Sequence, residues 1–331
     1  MSQDSTQSSK DSLGTIGIIC VTVIFAQAFI VSFANLLTII TFTINIHLRK
    51  RSVYCIINLA VADMLVGLGS LAVNSAIAGV YGFKVLVYEN AVQSQSLPVK
   101  IQFHVYTMTC NATMLSIALV ALERMSAILW PLRHRQYSPW VYALSIALTW
   151  LASILIAITG VFSFNNSSKE YLGGVWMILI FFVICASYVA IYFKTRSNKQ
   201  QNQLHIGLQR ISRRDYRLMK TSFLVTVTSF ATWIPLAILF IINDANQVTM
   251  SPYIVLCFVV LFVGSSFINP IIYVFRMKDF RAALLCLIIY CSRNRPVNRI
   301  RPVGPARTTN RSGNQSTTHV IDLHEATRDR P

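Results

Sequence analysis

The sequence is poor in charged residues, and acidic ones are especially scarce. Only 12% of its 331 residues are charged, whereas 54% are apolar. Soluble domains contain about 25% charged residues, so this composition points to a membrane protein. The 29 Lys and Arg outnumber the 12 Asp and Glu, which gives a formal net charge of +17. Because nucleic-acid-binding proteins are basic too, the positions of the basic residues have to decide between the two classes.

Other features that would indicate different classes of protein are also missing. Residues 1–13 are polar, and the apolar run that follows is too long for a signal peptide, so we expect a first spanning helix there. Of the seven cysteines, five fall in apolar runs and none in a predicted extracellular loop, so no disulfide is expected. We find no metal-ligand cluster, nucleophile elbow or phosphate loop, and therefore expect no enzyme. A membrane transporter is the alternative class, but no internal repeat supports it.

What the sequence does contain is a series of long apolar segments. Each has about 20 or more residues, the length that a helix needs to cross a bilayer. Only helices satisfy the backbone of such segments in lipid, because an alternating barrel pattern is absent. We therefore predict an all-α membrane protein, a seven-transmembrane helix bundle. The predicted spans are 14–46, 53–80, 101–129, 140–162, 172–194, 215–242 and 252–274.

The basic residues predict the orientation of the bundle. With the N-terminus outside, only Lys10, Lys84, Lys100 and Lys169 lie outside, and every other Lys and Arg lies inside. This asymmetry is typical of multi-pass proteins and accounts for the basic composition without nucleic acid. We expect a plasma-membrane protein whose C-terminus is cytoplasmic. Its inner basic residues would face anionic membrane lipid or a cytoplasmic partner.

The two ends of the chain are predicted to differ from the bundle. We expect a short extracellular tail over 1–13, a bundle over 14–290 and a disordered cytoplasmic tail over 291–331. The bundle would end in a short amphipathic eighth helix on the cytoplasmic face, formed by residues 282–290. Cys286 and Cys291 are candidates for palmitoylation there, with ordinary lipid-facing cysteines as the alternative. Asn165 and Asn166 begin overlapping glycosylation sequons in a predicted outer loop.

An ionisable residue lies in the middle of the second predicted span. Asp63 has no cation in its own helix, and such residues are costly in a membrane and usually functional. One interpretation is a sodium site built from a carboxylate, hydroxyls and amide oxygens. The alternative is a protonated Asp63 in a hydrogen-bond network. The candidates for its polar partners are Asn35, Thr113, Ser265, Ser266 and Asn269.

Two prolines interrupt predicted spans. Pro235 follows Trp233 by two residues, and Pro270 follows Asn269. Each removes a backbone hydrogen bond and bends its helix, which suits a conformational switch, although prolines also serve packing in spanning helices.

Together these features resemble the rhodopsin-like (class A) family of G protein-coupled receptors. The resemblance covers about residues 14–290, and its motifs occur in the family's order. They are Asn35, the Leu59–Asp63 stretch, Glu123-Arg124-Met125, Trp150, Tyr192, Thr232-Trp233-Ile234-Pro235 and Asn269-Pro270-Ile271-Ile272-Tyr273. The resemblance implies a receptor that couples a heterotrimeric G protein, with arrestin and a receptor kinase as further expected partners.

The resemblance also implies roles for single residues. Trp233 and Pro235 would form a toggle below the ligand pocket. Arg124 would be restrained by Glu123 and by Asp215, and outward movement of the sixth span would break that restraint. The coupling residues implied in this way are Glu123, Arg124, Pro131, Leu132, Tyr192, Asp215, Asn269, Pro270 and Tyr273.

Departures from the family pattern narrow the subgroup. Val99 stands where most members have the disulfide cysteine, and Ile184 stands where they have a proline. Both departures resemble the melanocortin, cannabinoid, lysophospholipid and adenosine receptor group. Phe240, however, replaces the Asn of adenosine receptors. Tyr106 and Val263 replace the residues that anchor amines and retinal, so neither ligand is expected.

The remaining pocket is mostly apolar, which favours a small apolar or lipid-like ligand. A peptide ligand and constitutive activity without a ligand are the alternatives. The candidate pocket residues are Gln102, Phe103, Tyr106, Thr107, Cys110, Trp176, Leu236, Phe240, Asn243, Val259 and Val263.

Overall fold

The structure is a computed structural model. It describes residues 2–48, 53–81, 97–162, 166–204, 213–246 and 252–293; of the side chains, it describes those at 19, 22–46, 48, 53–73, 75, 101–159, 176–197, 219–235, 238, 257 and 260–289. The chain divides into a unit of Met1–Ile289 and a C-terminal unit of Tyr290–Pro331. Almost all of the second unit lies outside the described residues.

The described part of the chain is helical, with no strand. The α-helices are α1 (Ser2–Ile44), α2 (Val53–Tyr81), α3 (Leu97–Leu129), α4 (Pro131–Gln136), α5 (Pro139–Phe162), α6 (Asn166–Leu204), α7 (Arg213–Asn246), α8 (Pro252–Arg276) and α9 (Lys278–Arg293). A short 3₁₀ helix, Ile46–Leu48, follows α1. The seven predicted spans correspond in order to α1, α2, α3, α5, α6, α7 and α8, so the predicted all-α class is confirmed.

Within the described residues, five helices are long and apolar enough to cross a membrane. These stretches are Thr22–Ile44, Val53–Val73, Ile101–Leu129, Pro139–Thr159 and Trp176–Ser197. A sixth is added if Val260–Arg276 and Lys278–Ile289, which meet at a bend of 103°, are counted as one broken span. Residues 215–242, the predicted sixth span, are helical throughout as part of α7.

The helices extend beyond several of the predicted limits. α1 begins at Ser2 rather than at 14, and α6 runs over Asn166–Leu204 rather than 172–194. A helix satisfies its own backbone hydrogen bonds in water as well as in lipid, so its ends need not coincide with the apolar run. Residues 205–212, within the predicted loop between the fifth and sixth spans, lie outside the described residues.

Buried apolar side chains from most of the helices form one core. Its members include Phe42, Leu59, Ile117, Ile184, Val225, Trp233, Ile272, Tyr273 and Phe280. By contrast, α5 and α6 present large apolar side chains outward, such as Trp140 and Phe182. This pattern is expected of a bundle surrounded by lipid, where close packing rather than water exclusion holds the helices together.

α1 and α2 approach each other closely at Gly67. A Cβ atom at this position would overlap Oγ of Ser32 and lie 2.8 Å from the carbonyl oxygen of Ala28. Ser32 occupies the contact by donating to the Ala28 carbonyl at 2.9 Å. Only glycine fits here, so the two helix backbones meet almost directly.

α9 leaves α8 at the 103° bend, with Met277 at the break. The backbone N–H of Met277 donates to the Tyr273 carbonyl at 2.9 Å, which closes the end of α8. Phe280 is 1% exposed and packs against Phe42 and Tyr273, with ring centroids 4.8 and 6.1 Å away. A helix that turns away this sharply agrees with the predicted eighth helix. We call this part of the bundle, where Phe280, Tyr273 and Arg124 lie, the Arg124 end.

Candidate functional site

Asp63 is the centre of a buried polar cluster that joins three helices. Its Oδ1 accepts from the Ser266 hydroxyl at 2.8 Å and from the Thr113 hydroxyl at 3.3 Å. Its Oδ2 accepts from the Asn269 amide at 2.7 Å. Asp63 is 0% exposed, so both carboxylate oxygens are held by neutral donors from α3 and α8. Three of the five predicted partners are therefore in place.

The other two predicted partners make different contacts. Asn35 donates from Nδ2 to the backbone carbonyls of Val31 and Ser266, both at 3.0 Å, and so links α1 to α8. The Ser265 hydroxyl accepts from Trp233 Nε1 at 2.9 Å. The Trp233 ring also lies 6.0 Å from Phe230 and 5.9 Å from Phe262. The predicted toggle residue, Trp233, is thus bonded to Ser265 of α8. The next residue, Ser266, bonds to Asp63.

Glu123 and Arg124 form a second buried charged group at the end of α3. They are 7% and 2% exposed, and Nη2 of Arg124 forms an ion pair with Oε2 of Glu123. The other oxygen of Glu123, Oε1, lies 2.9 Å from Nε2 of His134 in α4. The same Nε2 lies 3.1 Å from the hydroxyl of Tyr142 in α5. The pair at the end of α3 is therefore connected to two further helices.

A third polar group connects α2, α3 and α5 in the interior. Asn58 donates to the Ser116 hydroxyl at 2.8 Å and accepts from Trp150 Nε1 at 3.0 Å. Asn58 and Ser116 are buried, so each polar group is used within the bundle. This network fixes the three helices relative to one another.

Comparison with known proteins identifies the family. The model of the family described as "7 transmembrane receptor (rhodopsin family)" matches residues 34–273, which is most of the chain. The chain belongs to this family. The motifs at Asn35, Asp63, Glu123-Arg124, Trp233 and Asn269-Pro270 all lie within the matched stretch. The receptor is consequently not an enzyme.

Its relatives and structural neighbours agree with that assignment. The receptor is 26% identical over 333 residues to adenosine receptor A3 of Bos taurus, covering 89% of this chain and 96% of that one. It is also 26% identical over 292 residues to adenosine receptor A3 of Canis lupus familiaris, covering 76% and 85%. Squid rhodopsin has the same fold, with a TM-score of 0.69, 17% identity, and coverage of 84% of this chain and 87% of that one.

The residues around Asp63 fit a small hard cation. Such ions take oxygen ligands, and Asp63, Thr113 and Ser266 supply a carboxylate and two hydroxyls. The Oδ1 atoms of Asn35 and Asn269 are buried, and neither has a hydrogen-bond partner among the described residues. The described residues contain no group of three or more His, Cys, Asp and Glu that could hold a metal. The donor chemistry thus suits sodium rather than a transition metal.

The predicted ligand-pocket residues are only partly described. Tyr106 is 9% exposed and packs with Cys110 against Val66 and Val73 of α2. A Cβ atom at Gly69 would lie 3.1 Å from the Tyr106 ring, so this ring fills the space beside α2. Val263 is buried as well, whereas Trp176 is 39% exposed.

The remaining pocket candidates lie on α3, α7 and α8. Gln102 and Phe103 are half-buried on α3, and the Oε1 atom of Gln102 has no partner among the described residues. Thr107 donates to the Phe103 carbonyl of its own helix at 3.0 Å. Four more candidates have side chains outside the described residues: Leu236, Phe240, Asn243 and Val259.

The predicted coupling residues are not all brought together. Leu132, which follows Pro131 in α4, is 60% exposed and accessible to a partner. Tyr273 is buried between Phe42 and Phe280. Tyr192 is 59% exposed and lines a groove of about 510 Å³ between α6 and α7. Its role in an open cleft with Arg124 and Tyr273 stays a prediction.

Several predicted sites fall on residues whose side chains are not described. Asp215 lies at the start of α7, but its side chain lies outside the described residues, as do those of Asn165, Asn166 and Cys291. Cys286 is exposed on α9. The described cysteines, Cys55, Cys110, Cys185, Cys257 and Cys286, are all free thiols.

The contribution of α4 was not predicted from the sequence. His134 looks in the sequence like one of several scattered histidines at the membrane edge, and no periodic pattern marks the six residues of α4. Pro131 at the first helical position was the available signal, because proline is favoured at the start of a helix. The contact of His134 with Glu123 has no sequence signal, since it depends on how α4 folds back onto α3.

Proposed function

We propose that this receptor lies in the plasma membrane with its N-terminus outside and its C-terminus in the cytoplasm. It binds a small apolar or lipid-like ligand within the helix bundle. Ligand binding moves α7 outward at the Arg124 end and activates a heterotrimeric G protein. The observation that carries this proposal is the buried pair of Glu123 and Arg124 beside the exposed Leu132, at the basic end of a rhodopsin-family bundle.

A change of state at the Arg124 end is supported by the contacts that link it to the rest of the bundle. Trp233 is bonded to Ser265 in α8, and the next residue, Ser266, is bonded to Asp63 in α2. A ligand that shifts Trp233 therefore acts on α7 and α8 together. A population shift follows only if the ligand binds one arrangement of these helices more tightly than the other.

Sodium at Asp63 is proposed as a modulator of the same equilibrium. The carboxylate, the two hydroxyls bonded to it and the unpartnered amide oxygen of the adjacent Asn269 supply hard oxygen donors. A cation there adds bonds between α2, α3 and α8, which favours the arrangement in which these helices are close together. Sodium is therefore expected to reduce signalling in the wild-type receptor.

The apolar ligand is supported by the side chains that are described in the candidate pocket. Phe103, Tyr106, Cys110 and Val263 are apolar or aromatic, and Gln102 carries a buried amide oxygen that can orient one polar group. A peptide ligand and signalling without a ligand are the alternatives. The decisive test is a ligand-library screen with a cyclic-nucleotide readout, using cells that lack the receptor as a control.

A second candidate ligand is a nucleoside. Two similar relatives are adenosine receptors by name, at 26% identity. Phe240 stands where adenosine receptors have an asparagine, which removes a polar group suited to a purine. Adenosine therefore belongs in the screen as a separate arm. A saturable response to adenosine that Phe240→Asn strengthens would favour a nucleoside receptor, whereas a response only to apolar compounds supports the first proposal.

The proposed topology and the proposed further partners each predict a result in cells. An N-terminal epitope should be stained on intact cells and a C-terminal epitope only after permeabilisation. Arrestin and a receptor kinase are proposed to act on the Ser- and Thr-containing tail after 291. Recruitment of arrestin that is lost when this tail is removed would support that part of the proposal.

A further inference from the structure

The groove between α6 and α7 has walls that are mostly apolar and aromatic. Ile191 and Tyr192 line it on the α6 side, and Met219 and Phe223 line it on the α7 side. Its volume of about 510 Å³ is in the range that is usual for the binding sites of small molecules. A molecule in this space, which we call the α6–α7 groove, therefore meets apolar surface from two helices.

The α6–α7 groove lies at the Arg124 end of the bundle. Lys220 is one of its lining residues, and the next two residues, Thr221 and Ser222, line a small cavity together with Tyr273. Tyr273 is one of the residues that define the Arg124 end. In the orientation proposed above this end faces the cytoplasm, so the groove lies at the level of the inner leaflet.

The groove opens toward lipid. Tyr192 and Phe223, which line it, are both exposed. Tyr192 is followed by the exposed Phe193, and Phe223 lies one turn before the exposed Val227. Large apolar side chains exposed on spanning helices face the hydrocarbon of the bilayer. A lipid molecule can therefore reach the groove from the bilayer without passing through the bundle.

Two cations also line the groove. Arg196 and Lys220 are both exposed, and Arg196 lies next to the last residue of the apolar stretch Trp176–Ser197. Long basic side chains at such positions place their charge at the membrane edge while their stems stay on apolar surface. None of the described residues that line the groove is acidic. The groove therefore combines apolar walls with two positive charges, which suits an anionic headgroup.

The chemistry of the groove favours a whole lipid over a soluble anion. Lipid chains are as apolar as the walls, so a chain enters the groove at little cost, and the selectivity comes from the headgroup. A guanidinium binds a phosphate group with two parallel hydrogen bonds, and an ammonium attracts it as a point charge. Inner leaflets are rich in anionic phospholipids, which carry both the phosphate and the apolar chain.

Direct contacts join α6 and α7 beside the groove. The hydroxyl of Tyr188 lies 3.1 Å from that of Thr226, and the Tyr188 ring lies 5.1 Å from the ring of Phe223. Beyond these contacts, toward Arg196 and Lys220, the two helices face each other across the groove. A lipid bound there would thus join the two helices at their inner ends.

We propose that the α6–α7 groove binds one anionic phospholipid of the inner leaflet. Its phosphate lies between Arg196 and Lys220, and one acyl chain lies against Tyr192 and Phe223. The bound lipid holds α6 and α7 at their present spacing and so opposes outward movement of α7. This last effect rests on the proposed function, whereas the binding site itself does not.

The test uses the purified full-length receptor in nanodiscs of phosphatidylcholine, in which a growing share of the lipid is replaced by phosphatidylserine. Phosphatidylserine should raise the apparent melting temperature of the wild type, because a ligand that binds only the folded state stabilises it. The share needed for half of this effect should rise roughly fivefold in Arg196→Gln and in Lys220→Gln. Lys194→Gln is the matched control, because Lys194 is an exposed cation of α6 outside the groove lining.

Two further variants fill the groove and keep both cations. Thr195→Trp fills it from α6 and Met219→Trp from α7, so both should lose the effect of phosphatidylserine. Their melting temperatures in phosphatidylcholine alone show whether they fold, and the charge variants decide the question if they do not. If the folded filling variants respond like the wild type, the cations attract lipid only at the surface and the inference is wrong. It is also wrong if Lys194→Gln weakens the effect as much as Arg196→Gln does.

Basal nucleotide exchange on a purified G protein tests the effect on α7. In nanodiscs with phosphatidylserine, Arg196→Gln should exchange faster than the wild type by up to roughly fivefold, whereas in phosphatidylcholine alone the two should be alike. Slower exchange by Arg196→Gln in both lipids would mean that a protein partner occupies the groove, which overturns the inference. If no variant engages any G protein, the proposed coupling is wrong, and the melting temperatures still decide whether the groove binds lipid.

Discussion

Two buried carboxylates of this receptor are held in opposite ways. Asp63 is 0% exposed and is held by neutral donors alone, which come from Thr113, Ser266 and Asn269. Glu123 is 7% exposed and is held by the cation beside it in the same helix and by His134 from α4. The first therefore joins long helices to one another, whereas the second joins the end of one helix to a six-residue segment.

The difference indicates that the two sites have different roles. Asp63 belongs to the frame, the set of contacts that holds the spans together, and Glu123 belongs to the switch, the set of contacts that changes on activation. Bonds from α3 and α8 to Asp63 can break only if whole spans move apart. The bond between Glu123 and His134 can break when α4 alone shifts, whereas Arg124 moves with Glu123 in any motion of α3. A change at Asp63 should thus lower stability most, besides removing the proposed effect of sodium on signalling, whereas a change at Glu123 should act mainly on signalling.

The largest effect is expected for Asp63→Ala. The change leaves three buried donors without their acceptor, and each hydrogen bond in a membrane bundle contributes about 0.6–2 kcal/mol. The apparent melting temperature in detergent should therefore fall by roughly 5–10 °C. Asp63→Asn retains one acceptor oxygen, so its melting temperature should lie between those of Asp63→Ala and the wild type. If Asp63→Ala melted at the same temperature as the wild type, Asp63 would not be one of the residues that hold the spans together.

The same pair of variants tests the proposed sodium site. Sodium chloride should raise the melting temperature of the wild type relative to choline chloride at equal ionic strength, because binding to the folded state alone stabilises it. Asp63→Asn removes the negative charge and should abolish the difference. An equal sodium effect in both proteins would show that the ion binds elsewhere.

Next in size is the effect of Glu123→Gln on signalling. The amide keeps the shape of the side chain but removes the charge that pairs with Arg124, so the inactive state loses roughly 1.5–3 kcal/mol. Basal nucleotide exchange should rise about fivefold or more, while the melting temperature changes less than for Asp63→Ala. If Glu123→Gln lost much stability while its basal exchange stayed unchanged, Glu123 would belong to the frame and not to the switch.

A smaller rise is expected for Asp215→Asn. Asp215 lies at the first turn of α7 and is the proposed restraint on Arg124 from that helix. A hydrogen bond contributes a net of about 0.5–1.5 kcal/mol, and Glu123 still holds Arg124 in this variant, so basal exchange should rise by roughly twofold. Unchanged basal exchange at matched surface expression counts against Asp215 and leaves Glu123 as the restraint.

The smallest effect is expected for Trp233→Phe. It removes the donor to Ser265 while keeping an aromatic ring between Phe230 and Phe262, so stability should fall by about 0.6 kcal/mol. Trp150→Phe is the matched control, because it removes one similar bond to Asn58. Both variants should melt slightly earlier, but only Trp233→Phe should change the concentration of ligand needed for half-maximal response.

The frame was largely predictable from the sequence, and the switch only in part. Long apolar runs predict spans because lipid leaves the backbone no other choice, and Asp63 had to find polar partners for the same reason. Thr113, Ser266 and Asn269 were named correctly as partners. Asn35 and Ser265 were also predicted as partners, but Asn35 bonds to two backbone carbonyls and Ser265 to Trp233 instead.

The contacts of Glu123 could not be predicted, because they depend on a short segment between spans. α4 has six residues, too few for a periodic pattern, and three of them are basic. Its direction is set by Pro131 at its start and by the ring contacts of His134 with Tyr137 and Tyr142. These are properties of the folded arrangement, and no spacing in the sequence encodes which histidine meets the carboxylate.

The glycine contact between α1 and α2 has a consequence for how the receptor is made. These two helices leave the ribosome before the other described helices, and at Gly67 their backbones fit together without any later part of the chain. Helices that pack this closely associate in the bilayer once each has been inserted. We therefore expect α1 and α2 to assemble as a helical hairpin during synthesis, which gives the later spans a surface on which to dock. A side chain at residue 67 would delay biogenesis even where the finished receptor tolerates it.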